Sequence, residues 1–156
     1  MTSVFRLTVF FALVTSAFAG GTLVALVNAA EGFALAIQQQ IAAVQSVTTP
    51  TELAAKTISY AAFKTTYYDA LRAAAPELTD IANGKEPRPP EVDQFAQVLS
   101  VDGGKQEKVA DEATVALLTK LPFNSDIEKA KAALNQALAV EDQFHHDFNG
   151  VNLSGQ

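Results

Sequence analysis

Apolar residues fall along this chain at helical spacing. From Gly20 to Val47, Leu23, Leu26, Ala30, Phe33, Ile37, Ile41, Val44 and Val47 recur three or four positions apart. That is the period of a helix with one buried stripe. Gln38, Gln39, Gln40 and Gln45 cover much of the remaining surface, and Gly32 is a weak point in the middle. Thr49-Pro50-Thr51-Glu52 opens a second helix. The threonine can cap free amides, the proline suits the first helical position, and the glutamate completes a capping box. The second stripe runs through Leu53, Tyr60, Phe63, Tyr67, Leu71, Ala74, Leu78 and Ile81 to a stop at Asn83-Gly84. Pro76 lies inside this pattern and predicts a kink, or a split after about Ala75, because proline lacks an amide for the ladder. The tight corner from Val47 to Pro50 predicts that the two long helices pack antiparallel.

Lys85 to Pro90 holds Pro87, Pro89 and Pro90 and reads as an extended connector. A short helix follows from about Glu91 to Val101, with Val92, Phe95, Val98 and Leu99 inward, and Asp102-Gly103-Gly104 breaks it. The fourth helix spans about Lys105 to Leu121, carries Val109, Ala113, Ala116, Leu117 and Leu121 as its stripe, and stops at Pro122. Ser125-x-x-Glu128 is a second capping box. The last helix reaches about Phe148, with Ile127, Ala130, Leu134, Ala137, Leu138, Phe144 and Phe148 on one side, and Asn149-Gly150 closes it. No segment alternates as a strand does. The fold class expected is therefore all-α, a four- to five-helix bundle spanning residues 20–150, with residues 151–156 as a disordered tail.

The N-terminus bears on compartment. Arg6, the apolar run Leu7 to Val14 and Ala17-Phe18-Ala19 follow the layout of a secretory signal peptide, residues 1–19, cleaved after Ala19. The competing reading is an uncleaved anchor, because apolar residues resume from Leu23 to Val27; Gly20, Gly21 and Thr22 interrupt that run, and Asn28 and Glu31 end it. The chain has no cysteine, so an exported domain of this kind must be held by helix packing alone. Asn152-Leu153-Ser154 is a glycosylation sequon.

Composition removes some functional classes. Hydrophobic residues make up 49% and charged residues 18%, which excludes a disordered, highly charged chain. The net charge of -6 offers no basic face for nucleic acid. His145 and His146 lie four residues after Glu141 and Asp142, on one helix face, but no further ligands complete a metal site, so surface pairing is expected instead. Without a cysteine, a Gly-x-Ser-x-Gly elbow or a phosphate loop, no catalytic residue and no cofactor is assigned. None of the acids stands within an apolar run beside an obvious partner. The aromatic stretch of Tyr60, Phe63, Tyr67 and Tyr68 either fills the core or walls a cavity whose hydroxyls hold a fatty-acid carboxylate. The candidate lining is Phe33, Ile37, Ile41, Tyr60, Phe63, Tyr67, Leu71, Leu117, Leu138 and Phe144.

The segment Ala113-Thr114-Val115-Ala116-Leu117-Leu118-Thr119-Lys120-Leu121-Pro122-Phe123, followed by a capped helix ending near Phe144, resembles the fungal hydrophobic-surface-binding proteins, relatives of the cell-wall galactomannoproteins. The shared features are a signal peptide, alanine-rich helices, no essential cysteine and a Leu-Leu-x-Lys-x-Pro-x-Phe-like corner. The proline-rich connector and the tyrosine-rich second helix depart from that pattern. The resemblance implies a secreted, non-enzymatic bundle, associated with the cell wall, that adsorbs to a hydrophobic surface or holds a fatty acid or other apolar ligand. The alternative is a secreted effector, adhesin or wall component with a filled core and a protein partner. A continuous apolar cavity of about 300 Å3 between the first two helices and the last separates the two.

Overall fold

Among the described residues, five helices make up the regular structure: α1 (Gly21–Ser46), α2 (Pro50–Ala82), α3 (Pro90–Val98), α4 (Val101–Lys120) and α5 (Ser125–Asp147). This computed structural model describes residues 21–47, 49–98, 101–151 and 153, with the backbone alone at 101 and 102. No strand occurs among the described residues, and the fold is the expected all-α bundle. The apolar stretch that opens the chain is compatible with a signal peptide. Residues 1–19 themselves lie outside the described residues, as does Asn152 of the sequon.

Side-chain bonds fix the direction of each helix. Thr22 donates to Glu77, and Gln40 donates to Thr57, so α1 and α2 run antiparallel as the tight corner predicted. Tyr60 bonds Asp111 and Lys64 bonds Glu107, which sets α4 antiparallel to α2. Thr51 with Asp126, Lys64 with Glu141 and Arg72 with Asp147 set α5 parallel to α2. Around the bundle, α1 packs on α2 and α4, α2 packs on α5, and α4 and α5 meet only lightly. Helix α3 lies on α1 and buries Val92 and Phe95.

The α1 stripe is buried as expected from Leu23 to Ile37, with Leu26, Ala30 and Phe33 losing all solvent contact, whereas Ile41, Val44 and Val47 are half-buried. This helix is long and apolar enough to cross a membrane. Here that apolarity is spent on packing against three neighbours, as in the central helix of any bundle.

Several local expectations are corrected. Helix α2 runs unbroken through Pro76, because Ala74, Ala75, Leu78 and Ile81 are all buried on either side of it. Packing there outweighs the loss of one ladder bond. Asp102-Gly103-Gly104 does not break the chain but lies in the first turns of α4, where glycine weakens a helix without ending it. The cap of α5 is Asn124 rather than Ser125; its side chain accepts from the amides of Asp126 and Ile127. Gly84 and Gly150 do take the positive φ expected of helix stops, at 72° and 77°. In the tail, Leu153 is half-buried and packs against the core.

The α2 stripe departs from expectation at one position, and the α4 stripe is rotated. Phe63 is 42% exposed, and the adjacent Lys64 takes the inward position. On α4 the buried positions are Glu107, Ala110, Thr114 and Leu118, whereas Val109 is 53% exposed and Ala116 faces solvent. Only Leu117, Leu121 and Ala113 of the expected α4 stripe are even half-buried.

Candidate functional site

Lys64 is placed inward by its phase on α2. Leu53, Thr57, Tyr60, Lys64, Tyr67 and Leu71 follow one another three or four positions apart, with Tyr68 beside Tyr67, and all are buried. Its side chain has no exposed surface and crosses the bundle axis to three acids. Nζ donates to Glu107 Oε1 at 2.6 Å, to Asp111 Oδ2 at 2.9 Å and to Glu141 Oε2 at 2.6 Å. Glu107 and Asp111 stand four apart on α4, on one face, and Glu141 comes from α5. Each acid offers an oxygen within 4.8 Å of the others. Such a trio is a cation cage by chemistry, and here the ammonium of Lys64 is the cation.

The tyrosines complete the network. Tyr60 donates to Asp111 at 2.6 Å, and Tyr68 donates to Glu107 at 2.8 Å and to Glu141 at 3.2 Å. The faces of Phe33, Tyr60 and Tyr68 lie 5.5–6.0 Å from Nζ. Those π-faces add further stabilisation of the cation. One layer along the bundle, Gln40 of α1 donates to Thr57 of α2 and Thr114 of α4, at 3.0 and 3.1 Å. No buried side-chain polar atom is left without a partner among the described residues.

One cation shared among three acids divides its benefit unequally. Burial alone pulls the Lys64 pKa down, but attraction to Glu107 and Asp111 outweighs that, and the net shift is upward. At each acid of α4, burial and repulsion from Glu141 oppose the attraction of the lysine. Burial therefore pushes Glu107 up to about 7, against the pull of Lys64 and with added repulsion from Glu141. Burial raises Asp111 as well. Burial is also the main reason that Tyr60 and Tyr68 hold their protons beyond the ordinary tyrosine range, with neighbouring carboxylates adding to it.

The expected cavity lining is placed as follows. Phe33, Ile37, Tyr60, Tyr67, Leu71 and Phe144 are buried; Ile41, Leu117 and Leu138 pack at the core margin; Phe63 lies outside. The rings pack on one another. Phe33 lies 5.9 Å from Tyr60 and 5.1 Å from Tyr67, and Tyr68 lies 5.6 Å from Phe144, centroid to centroid. Two surface hollows flank α2. One of about 240 Å3 is lined by Ala36, Gln39, Gln40, Ala55, Lys56, Ser59 and Tyr60. The other, about 500 Å3 and wide open, lies between α2 and α5 around Arg72 and Val140. Tyr60 is the one residue of the expected lining that reaches either hollow.

His145 and His146 are exposed. His145 stands 3.8 Å from Glu141, as the spacing predicted, but His146 faces Asp147 rather than Asp142. The expectation that no acid has a partner within an apolar run is overturned by Glu107, Asp111 and Glu141. A signal was present. Once Phe63 is set aside, the α2 stripe has a gap between Tyr60 and Tyr67 that Lys64 fills, and the α5 stripe has one between Leu138 and Phe144 that Glu141 fills. Opposite charges in the gaps of two apolar stripes are the pattern of a buried ion pair.

Compared with protein-family models, with curated proteins and with solved structures, the chain finds no match.

Proposed function

We propose that this chain is an exported, non-catalytic bundle that binds hydrophobic surfaces, including lipid surfaces, by opening and laying its apolar stripes against them. The observation that carries the reading is how α4 is held. Helix α4 meets the rest of the bundle through Lys64–Glu107, Lys64–Asp111, Tyr60–Asp111, Tyr68–Glu107 and Gln40–Thr114, and few large apolar side chains accompany these bonds. Releasing α4 hydrates charges that burial disfavours and bares the apolar face of α1. Reburying that face on a surface returns about 25 cal/mol per Å2.

Phe123 supports a first point of contact. It is 85% exposed at the corner between α4 and α5, beside Pro122. An enclosed acyl chain has less support, because aromatic rings and the lysine cluster occupy the seam where it would lie. The sequence resemblance to surface-binding proteins points the same way, and so does the signal-like N-terminus for export.

The test is adsorption of the processed chain to octyl-coated beads and to phosphatidylcholine vesicles. Uptake is expected to fall several-fold when Lys64, Glu107, Asp111 and Glu141 are together replaced by methionine and leucine and Tyr60 and Tyr68 by phenylalanine, which closes α4 with apolar contacts. Equal uptake by that closed variant, or no uptake by the native chain, defeats the proposal. A rigid scaffold with a protein partner is the second reading, favoured by the filled core and the exposed Leu35, Phe63 and Phe123. Under that reading the closed variant behaves as the native chain does.

A further inference from the structure

We propose that the carboxylates around Lys64 form an acid-closed latch on α4, so that taking up a proton fastens the helix and losing it loosens the helix. The idea extends the opening proposed above and assigns its control. The geometry carries it. One ammonium faces three largely buried carboxylates, so the fully ionised cluster is two charges negative. Two of those carboxylates belong to α4, the third belongs to α5, and the cation belongs to α2. Repulsion between Glu107 or Asp111 and Glu141 therefore pushes α4 away from α5, along the side where those helices meet least. A proton on Glu107 neutralises one of the facing charges and removes that repulsion.

Among the described residues, the titratable groups facing Glu107 come from three helices. Helix α2 supplies Lys64, Tyr60, Tyr67 and Tyr68; α4 itself supplies Asp111; α5 supplies Glu141, with His145 at the rim. The buried face of α1 supplies none. The tyrosines stay protonated at neutral pH. Glu107, with its pKa near 7, is the group that changes charge as the medium passes from mild acid to neutral.

Amide hydrogen exchange in solution, with no surface present, tests the latch separately from adsorption. After correction for intrinsic rates, α4 amides are expected to exchange on the order of tenfold faster at pH 8.0 than at pH 5.5. Glu107→Gln, which keeps a hydrogen-bonding side chain and cannot ionise, is expected to remove the difference. If that variant does not fold, Glu141→Gln supplies the same reading from α5. His145→Gln is expected to leave the difference intact. Native α4 amides that exchange equally at both pH values overturn the proposal. So does a Glu107→Gln variant that keeps the full difference, or a His145→Gln variant that loses it.

Discussion

Lys64 Nζ lies 2.6 Å from Glu141 Oε2, in the same plane of the bundle where Phe33 packs on Tyr67. An ion pair therefore sits against an aromatic layer, with Nζ 5.5 Å from the Phe33 ring. Its contribution depends on completeness. Three carboxylates, two tyrosine hydroxyls and one ammonium satisfy one another, and removing any one member leaves the others uncompensated.

Lys64→Met removes the cation and leaves three buried carboxylates facing one another. Breaking a buried pair in this way costs about 3–5 kcal/mol. Urea denaturation is expected to show that loss, whereas replacing all four charged residues with apolar ones, together with Tyr60→Phe and Tyr68→Phe, is expected to be neutral or stabilising. A mild effect of Lys64→Met would mean that the lysine escapes to solvent.

Lys64→Ala goes further and leaves room inside the acid trio, whose oxygens lie within 4.8 Å of one another. Millimolar Mn2+ is expected to raise the melting temperature of this variant and not that of the native chain, since carboxylate cages suit hard divalent cations. Scanning calorimetry with and without the metal decides it.

Stability is expected to be greatest in mild acid. Glu107 has an ordinary value of 4.5 and is raised to about 7 in the fold, so the native state binds its proton more tightly than the unfolded chain does. The resulting stabilisation is complete below the unfolded value and is lost as pH rises through about 7. The urea midpoint should therefore fall from pH 5 to pH 8, and Glu107→Gln should flatten that fall. A second loss is expected above the ordinary tyrosine value of 10.0, because Tyr60 and Tyr68 resist ionisation in the fold.

Gly32→Ala is expected to stabilise. The new methyl group would meet Phe63 Cε1 at 3.1 Å and Cδ1 at 3.2 Å. That ring is 42% exposed and can swing outward by the few tenths of an ångström required. Replacing a mid-helix glycine with alanine gains up to about 1 kcal/mol. A lower melting temperature would show that Phe63 is pinned.

Much of the fold was legible because large apolar residues dominate α1, α2 and α5, and their period identifies both the helices and their inner faces. Helix α4 was not legible in the same way. Its inner face carries Glu107, Ala110 and Thr114, while Val109 and Val115 point outward, so apolarity alone selected the wrong side. Those positions make sense only beside Lys64 and Gln40, which lie on other helices. For the same reason Phe63 was preferred to Lys64: a phenylalanine looks inward by type, and the lysine is inward only because its partners wait across the core. Proline and glycine signals were overread at Pro76 and Gly103-Gly104, where packing over the flanking turns decides the matter.

The lysine cluster also acts as a ruler. A helix advances about 5.4 Å per turn, and an ion pair cannot survive a displacement of that size. Sliding α4 or α5 by one turn would carry Glu107 or Glu141 out of reach of Lys64, although the alanine-rich seams would still mesh. Greasy contacts tell these helices to associate, and the ammonium tells them at what height.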